Sequence, residues 1–208
     1  MRTDALTARW DGLLGRLTRD DPTATGRELI DRWAEPHRRY HDLAHLTAVL
    51  DAVHDLAGHA EDLDAVRLAV WYHDAVYAGA PDDEENSARL AEADLTGLAL
   101  PPALVAETAR LVRLTATHDP APGDSNGETL CDADLAILAA GRADYARYVE
   151  AVRAEYPHVT DETFRAGRAT VLGNLLALPT LFRTPAGQQR WESAARANVA
   201  AELASLTA

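Results

Sequence analysis

The stretch Leu63-Asp64-Ala65-Val66-Arg67-Leu68-Ala69-Val70-Trp71-Tyr72-His73-Asp74 is where the reading of this chain begins. Val66, Ala69, Val70 and Tyr72 recur at helical spacing, so the segment predicts an apolar helix from about Leu63 to Tyr77 that runs into a histidine followed by an acid. An adjacent His-Asp pair says little alone, because His41-Asp42, His54-Asp55 and His118-Asp119 repeat it. What singles out His73-Asp74 is its company. A histidine, His45, stands 28 residues upstream, and an acidic phrase, Asp132-Ala133-Asp134-Leu135, follows later as the expected start of a helix.

Working outward, the same periodicity recurs in Leu6, Trp10, Leu13, Leu14 and Leu17 and in Leu104, Leu111, Val112 and Leu114, and no alternating strand pattern is convincing. Turn chemistry near Asp21-Pro22, Glu35-Pro36, Gly79-Ala80-Pro81, Pro101-Pro102, Asp119 to Gly127, Gly141, Pro157 and Pro185 divides the chain into about eight to ten helices. The fold class is therefore all-α, and residues 1–208 are expected to form a single domain. Pro36 suits a first helical position. A helix from there to about Leu56 sets His37, His41 and His45 on one face.

The balance of charge narrows the function. Asp and Glu number 33 against 20 basic residues, all arginine, for a net charge of -13, which repels a phosphate backbone and argues against general nucleic-acid binding. A small phosphorylated ligand is compatible, since a few arginines and a metal reverse the sign locally. The single cysteine, Cys131, forms no internal disulfide and suggests neither a thiolate metal site nor a nucleophile. No stretch approaches the roughly 20 apolar residues of a membrane span. The first residues carry no continuous apolar segment of the secretory kind, so a cytoplasmic location is expected.

The ordered set His45, His73-Asp74, Asp134 resembles the HD-domain superfamily of metal-dependent phosphohydrolases, an all-helical family with the order His, His-Asp, Asp. More narrowly it is similar to the subgroup with an Arg-x-Tyr-His-x-x-x-His segment, here Arg38-Arg39-Tyr40-His41-Asp42-Leu43-Ala44-His45. Further matching phrases are His73-Asp74-Ala75-Val76-Tyr77, Glu84-Glu85-Asn86-Ser87-Ala88, Thr117-His118, Arg153-Ala154-Glu155-Tyr156 and Ala195-Arg196-Ala197-Asn198. The resemblance spans about residues 5 to 203 and implies one HD-type domain over residues 1–208, a helical bundle with a central metal site. It implies His45, His73, Asp74 and Asp134 as metal ligands, with His41 competing for the first place and Asp132 for the last. Two imidazoles and two carboxylates suit Mn, Fe, Co, Ni or Zn and tolerate Mg, so one divalent ion is expected without a named identity.

The other roles follow from the same resemblance. Glu84 is the candidate general base or acid. Glu85 is not separable from it, because Asp83 stands where the subgroup has Asn, and Asp82 to Glu85 also reads as an exposed helix start. His118, closing an apolar helix, is a candidate to bond a phosphate or leaving oxygen. Arg38 is the candidate phosphate clamp, its guanidinium matching phosphate oxygens, and His41 lies near substrate. Arg39, Arg153, Arg168 and Arg196 are assigned as partners of acids, with Arg153 and Glu155 as one structural pair, and His37, His54, His59 and His158 as structural residues. Tyr40, Tyr77 and Trp71 are core or pocket wall.

The implied activity is phosphomonoesterase, on a nucleoside 5'-monophosphate or similar metabolite. The alternatives are a non-catalytic nucleotide-binding module and a di-iron oxygenase, the latter disfavoured because only His118 lies between His73-Asp74 and Asp134. A homodimer through Leu172, Leu175, Leu176 and Leu178 is also allowed.

Overall fold

The computed structural model describes residues 2–207 and, among them, is all-helical. In chain order the helices are α1 (Arg2–Leu17), α2 (Thr23–Trp33), α3 (Leu43–Asp55), α4 (Leu63–Tyr72), α5 (Asp83–Gly97), α6 (Pro102–Leu114) and α7 (Ser125–Asp134). A short 3-10 helix (Leu135–Ala139) then leads to α8 (Arg142–Glu155), α9 (Asp161–Ala177) and α10 (Pro185–Thr207). None of them is long and apolar enough to cross a membrane.

Helix α4 is the centre. Asp62 caps it, accepting the Ala65 N–H, and Ala65, Val66, Leu68, Ala69, Val70, Trp71 and Tyr72 are all buried. A helix apolar on nearly every side is stable only when others enclose it, and α3, α5, α6 and α7 do so. Trp10 of α1 meets Trp71 and Tyr72 edge-on, with ring centroids 5.2 and 6.2 Å apart. Helix α2 approaches closely enough that a side chain at Gly26 collides with the Trp10 ring, so α1 and α2 interlock only through glycine there.

A second apolar cluster joins the 3-10 helix, α8, α9 and α10 around Leu138, Tyr148, Leu172, Phe182 and Val199, and Trp191 packs against both clusters. Leu172, Leu175 and Leu176 point into it, which accounts for the apolar face of α9 within one chain.

Three element boundaries differ from the sequence reading. Helix α3 begins at Leu43 and not at Pro36. Asp42 adopts an extended backbone and its carboxylate accepts the Ala44 and His45 N–H groups, starting the helix there. His37, His41 and His45 consequently share no helix face. Helix α4 stops at Tyr72, because the following backbone turns to bond Ser87 and Asp83: Ser87 Oγ accepts the Val76 N–H, and Asp83 accepts those of Ala78 and Ala80. Asp83 is thus a buried loop clamp rather than an exposed helix-end charge. Asp134 ends α7, which started ten residues earlier where Asp124 caps Gly127.

Cys131 sits inside α7, 2% exposed, and burial with Asp134 and Asp132 nearby pushes its thiol pKa far up. It is expected to resist a thiol reagent at pH 8 in the folded protein and to react stoichiometrically in denaturant. Rapid labelling of native protein contradicts that placement.

Candidate metal centre

Three elements bring the cluster together. His45 lies in the first turn of α3, His73 caps the C-terminus of α4 with Asp74 in the turn beyond, and Asp134 closes α7. His45 Nε2 and His73 Nε2 are 3.3 Å apart. Asp74 Oδ2 lies 3.2 Å from His73 Nε2 and 3.8 Å from His45 Nε2, and Asp134 Oδ1 lies 3.1 and 3.6 Å from His45 and His73. The His45–His73–Asp74 group, with donor atoms all within 4.8 Å of one another, can hold a metal ion.

The chemistry of the donors fits such an ion. Nitrogens about 2.0–2.1 Å from a shared ion lie roughly 3.0–3.4 Å apart at tetrahedral or octahedral angles, which matches the observed imidazole pair. His73 donates its Nδ1–H to the Val70 carbonyl at 2.8 Å, so Nε2 is the nitrogen offered to the cluster. Burial opposes ionisation of Asp74 and Asp134, yet His73 and their other histidine neighbours outweigh it and hold both carboxyls below the usual carboxylate range. For His73 burial is likewise overcome, and Asp74 and Asp134 push its imidazole well up. Two ionised carboxylates in one enclosed cluster require positive charge beside them, from imidazolium or from a cation.

His118 comes to the cluster by an unusual backbone. Its φ is +50°, left-handed, in the segment after α6, and its Nε2 is 2.7 Å from Asp134 Oδ2. Asp134 is therefore gripped on one oxygen by His118 while the other faces His45 and His73. Asp132, the competing acid, points elsewhere: it is buried and accepts the Arg183 and Thr184 N–H groups at 2.8 Å, anchoring the entry to α10 against Gly187.

The loop from Glu35 to Asp42 forms one wall, and Arg38 is its internal brace. The Arg38 side chain is fully buried and donates to Glu35 and to the carbonyls of His41, Asp74 and Ala75, with its guanidinium carbon 5.4 Å from both the Trp33 and Tyr77 ring centroids. Four of its five donors are committed to the protein, which corrects its expected role: it fixes the loop to the His-Asp turn and is not presented to a phosphate.

His41 does lie beside the cluster, its ring 5.5 Å from that of His45, but a residue expected only in a structural pair aims it. Glu155, its side chain 1% exposed, accepts the N–H groups of Arg39, Tyr40 and His41 on one oxygen, and His41 Nδ1 and the Tyr77 hydroxyl on the other. Burial raises the Glu155 pKa, but the bonds from His41 and the loop N–H groups prevail and lower it to about 2. The expected Arg153–Glu155 pair does not form; Arg153 turns to Asp161. Trp33 is a second unanticipated member. It underlies His73 and His45 at ring distances of 5.3 and 6.1 Å and donates to the Trp71 carbonyl.

Glu84 and Glu85 separate cleanly. Glu85 is tied to Arg113 and Arg89, and those bonds lower its pKa to about 2, whereas Glu84, half-buried in the first turn of α5, has no ion pair or hydrogen bond among the described residues. Arg168 and Arg196 pair with Glu202 and Glu192, and His59 with Glu128, as structural residues.

No family model, curated protein or solved structure matches the chain.

Proposed function

We propose that this chain is a metal-dependent phosphohydrolase of the kind its sequence resembles, releasing phosphate from a small monoester such as a nucleoside 5'-monophosphate. His45, His73 and Asp74, with Asp134 beside them, would hold a single divalent ion. The observation that supports this reading most is the convergence of four donors from three elements, with His73 fixed in the tautomer that offers Nε2 and the imidazole nitrogens at a spacing one ion can bridge.

A divalent ion, when bound, supplies Lewis acidity that acidifies water and offsets charge on phosphoryl oxygens. The protein supplies the remainder. His118 holds Asp134 in register, which makes it a positioning residue in place of its expected contact with a phosphate or leaving oxygen. His41, held through Nδ1 by Glu155, has no hydrogen-bond partner on Nε2 among the described residues and is thus able to bond a phosphate oxygen or move a proton. Glu84, in the first turn of α5 and without an ion pair among the described residues, is assigned the role of proton carrier on the sequence resemblance.

The test is phosphate release from nucleoside monophosphates, cyclic nucleotides and sugar phosphates by protein stripped of metal and reloaded with Mn, Co, Fe, Ni, Zn or Mg. Metal-requiring release from a monoester, absent in His73→Ala, is the expected result. Metal-loaded protein that turns over no phosphate ester overturns the reading.

A further inference from the structure

Asp74 and Asp134 keep 16% and 13% of their side chains exposed while His45 and His73 keep 4% and 1%, so the cluster opens on its carboxylate side. There it adjoins a cavity of about 560 Å³ with His45 and Asp134 in its wall. Away from those two residues the wall is largely apolar, supplied by Ala48, Val49, Ala136 and Ile137 with the rings of Tyr40 and Tyr148. The two tyrosine rings are held 4.7 Å apart, Tyr40 packs on His45 at the same distance, and the Tyr148 hydroxyl is already taken by Arg168. Of the charged groups in the lining, Asp42 caps α3 and Arg147 makes an exposed ion pair with Asp144. Arg39 is the exception. It is exposed, and, contrary to the expectation that it partners an acid, its guanidinium has no hydrogen-bond or ion-pair partner among the described residues.

We infer that this cavity receives a flat ring carried by the organic part of the ester while Arg39 meets the phosphate, so that the substrates are monoesters whose organic part bears a planar ring of nucleobase or aryl size. The inference rests on the phosphohydrolase reading and narrows it. A sugar ring, with hydroxyls on both faces, set against these alanines and rings gives up water without gaining partners, whereas a planar ring keeps its polar groups at its edge and covers apolar surface with its faces. The volume lies in the range of small-molecule sites. Arg39 also supplies the local positive charge that an anionic ligand needs on a chain of net charge -13.

Phosphonates test this without turnover, since their carbon–phosphorus bond is not hydrolysed. Binding of 1-naphthylphosphonate and methylphosphonate to Mn-loaded protein is measured by calorimetry for the wild type, Ala48→Trp and Arg39→Ala. Ala48 is exposed on α3, so tryptophan there fills the cavity without entering the core. The naphthyl compound is expected to bind at least about tenfold more tightly than the methyl compound in the wild type. Ala48→Trp is expected to erase that advantage and leave methylphosphonate affinity unchanged, and Arg39→Ala to weaken both about tenfold. Equal or undetectable binding of the two in the wild type, or an advantage that survives Ala48→Trp, overturns the assignment of the cavity; unchanged binding in Arg39→Ala overturns that of the arginine. A preserved naphthyl preference in a protein that hydrolyses no ester upholds the cavity and sinks the reaction.

Discussion

Asp74→Ala protein is expected to lose metal affinity at least about a hundredfold and phosphomonoester turnover at least about a thousandfold, while keeping its helical content. The fold survives because what the surroundings ask of residue 74 is its backbone: Arg38 donates to the Asp74 carbonyl, and alanine supplies that equally well. The side chain has a different task. It places a carboxylate oxygen 3.2 Å from His73 Nε2 and lies at the solvent-facing side of the cluster, so its removal opens no core cavity. His118→Ala provides the graded comparison. It leaves all four donors in place but frees Asp134 to rotate, and the expected loss in metal affinity is the roughly 10- to 100-fold typical of a residue that orients a ligand. Metal content by mass spectrometry, a competition titration with a chelator and circular dichroism on the same samples decide the matter. Asp74→Ala protein that retains stoichiometric metal and turnover removes the cluster from consideration as a catalytic centre.

The parts of the cluster that the sequence made visible are those with local signatures. Helix α4 is apolar at almost every position, which marks it as enclosed, and the His-Asp pair at its end inherits a fixed place from it. His45 and Asp134 lie at helix termini, where short motifs are informative. The choice between Asp132 and Asp134 was not a matter of composition: two residues apart near the end of α7, one turns to the α10 entry and the other to the histidines. Pro36 misled because proline is as acceptable in a turn as in a first helical turn, and the competing cap, Asp42, lay within the same stretch. The role of Arg38 was illegible for another reason. A guanidinium suits carbonyl oxygens as well as phosphate oxygens, and only the folded loop shows which it meets. Glu155 stood in a phrase shared with the resembled subgroup, yet its task was not legible there, since it acts on a loop 114 to 116 residues away.

That distance makes Glu155 the site of the second large effect. Its carboxylate satisfies three consecutive loop N–H groups, the His41 imidazole and the Tyr77 hydroxyl from a position almost without solvent. Glu155→Ala removes the buried carboxylate that these mostly part-buried groups share, and the expected destabilisation is about 3 kcal/mol, seen as a fall in Tm of about 10 °C for a chain of this length. Turnover should fall about a hundredfold or more, because His41 is no longer held, while metal affinity changes little, because none of the four donors touches Glu155. Glu155→Gln keeps the shape and one acceptor oxygen and should fall between the two proteins in both measures. The acid limb of the stability curve gives an independent check. A carboxyl whose pKa is about 2 in the fold, against an ordinary 4.5, contributes its full stabilisation above pH 4.5 and surrenders it as the pH falls toward 2. That contribution is on the order of 3 kcal/mol, so the wild type should lose stability across this window by about that much more than Glu155→Gln does. Identical acid unfolding of the two proteins, together with a melting temperature for Glu155→Ala within a degree of the wild type, contradicts the account of Glu155 as the residue that shapes the loop and aims His41.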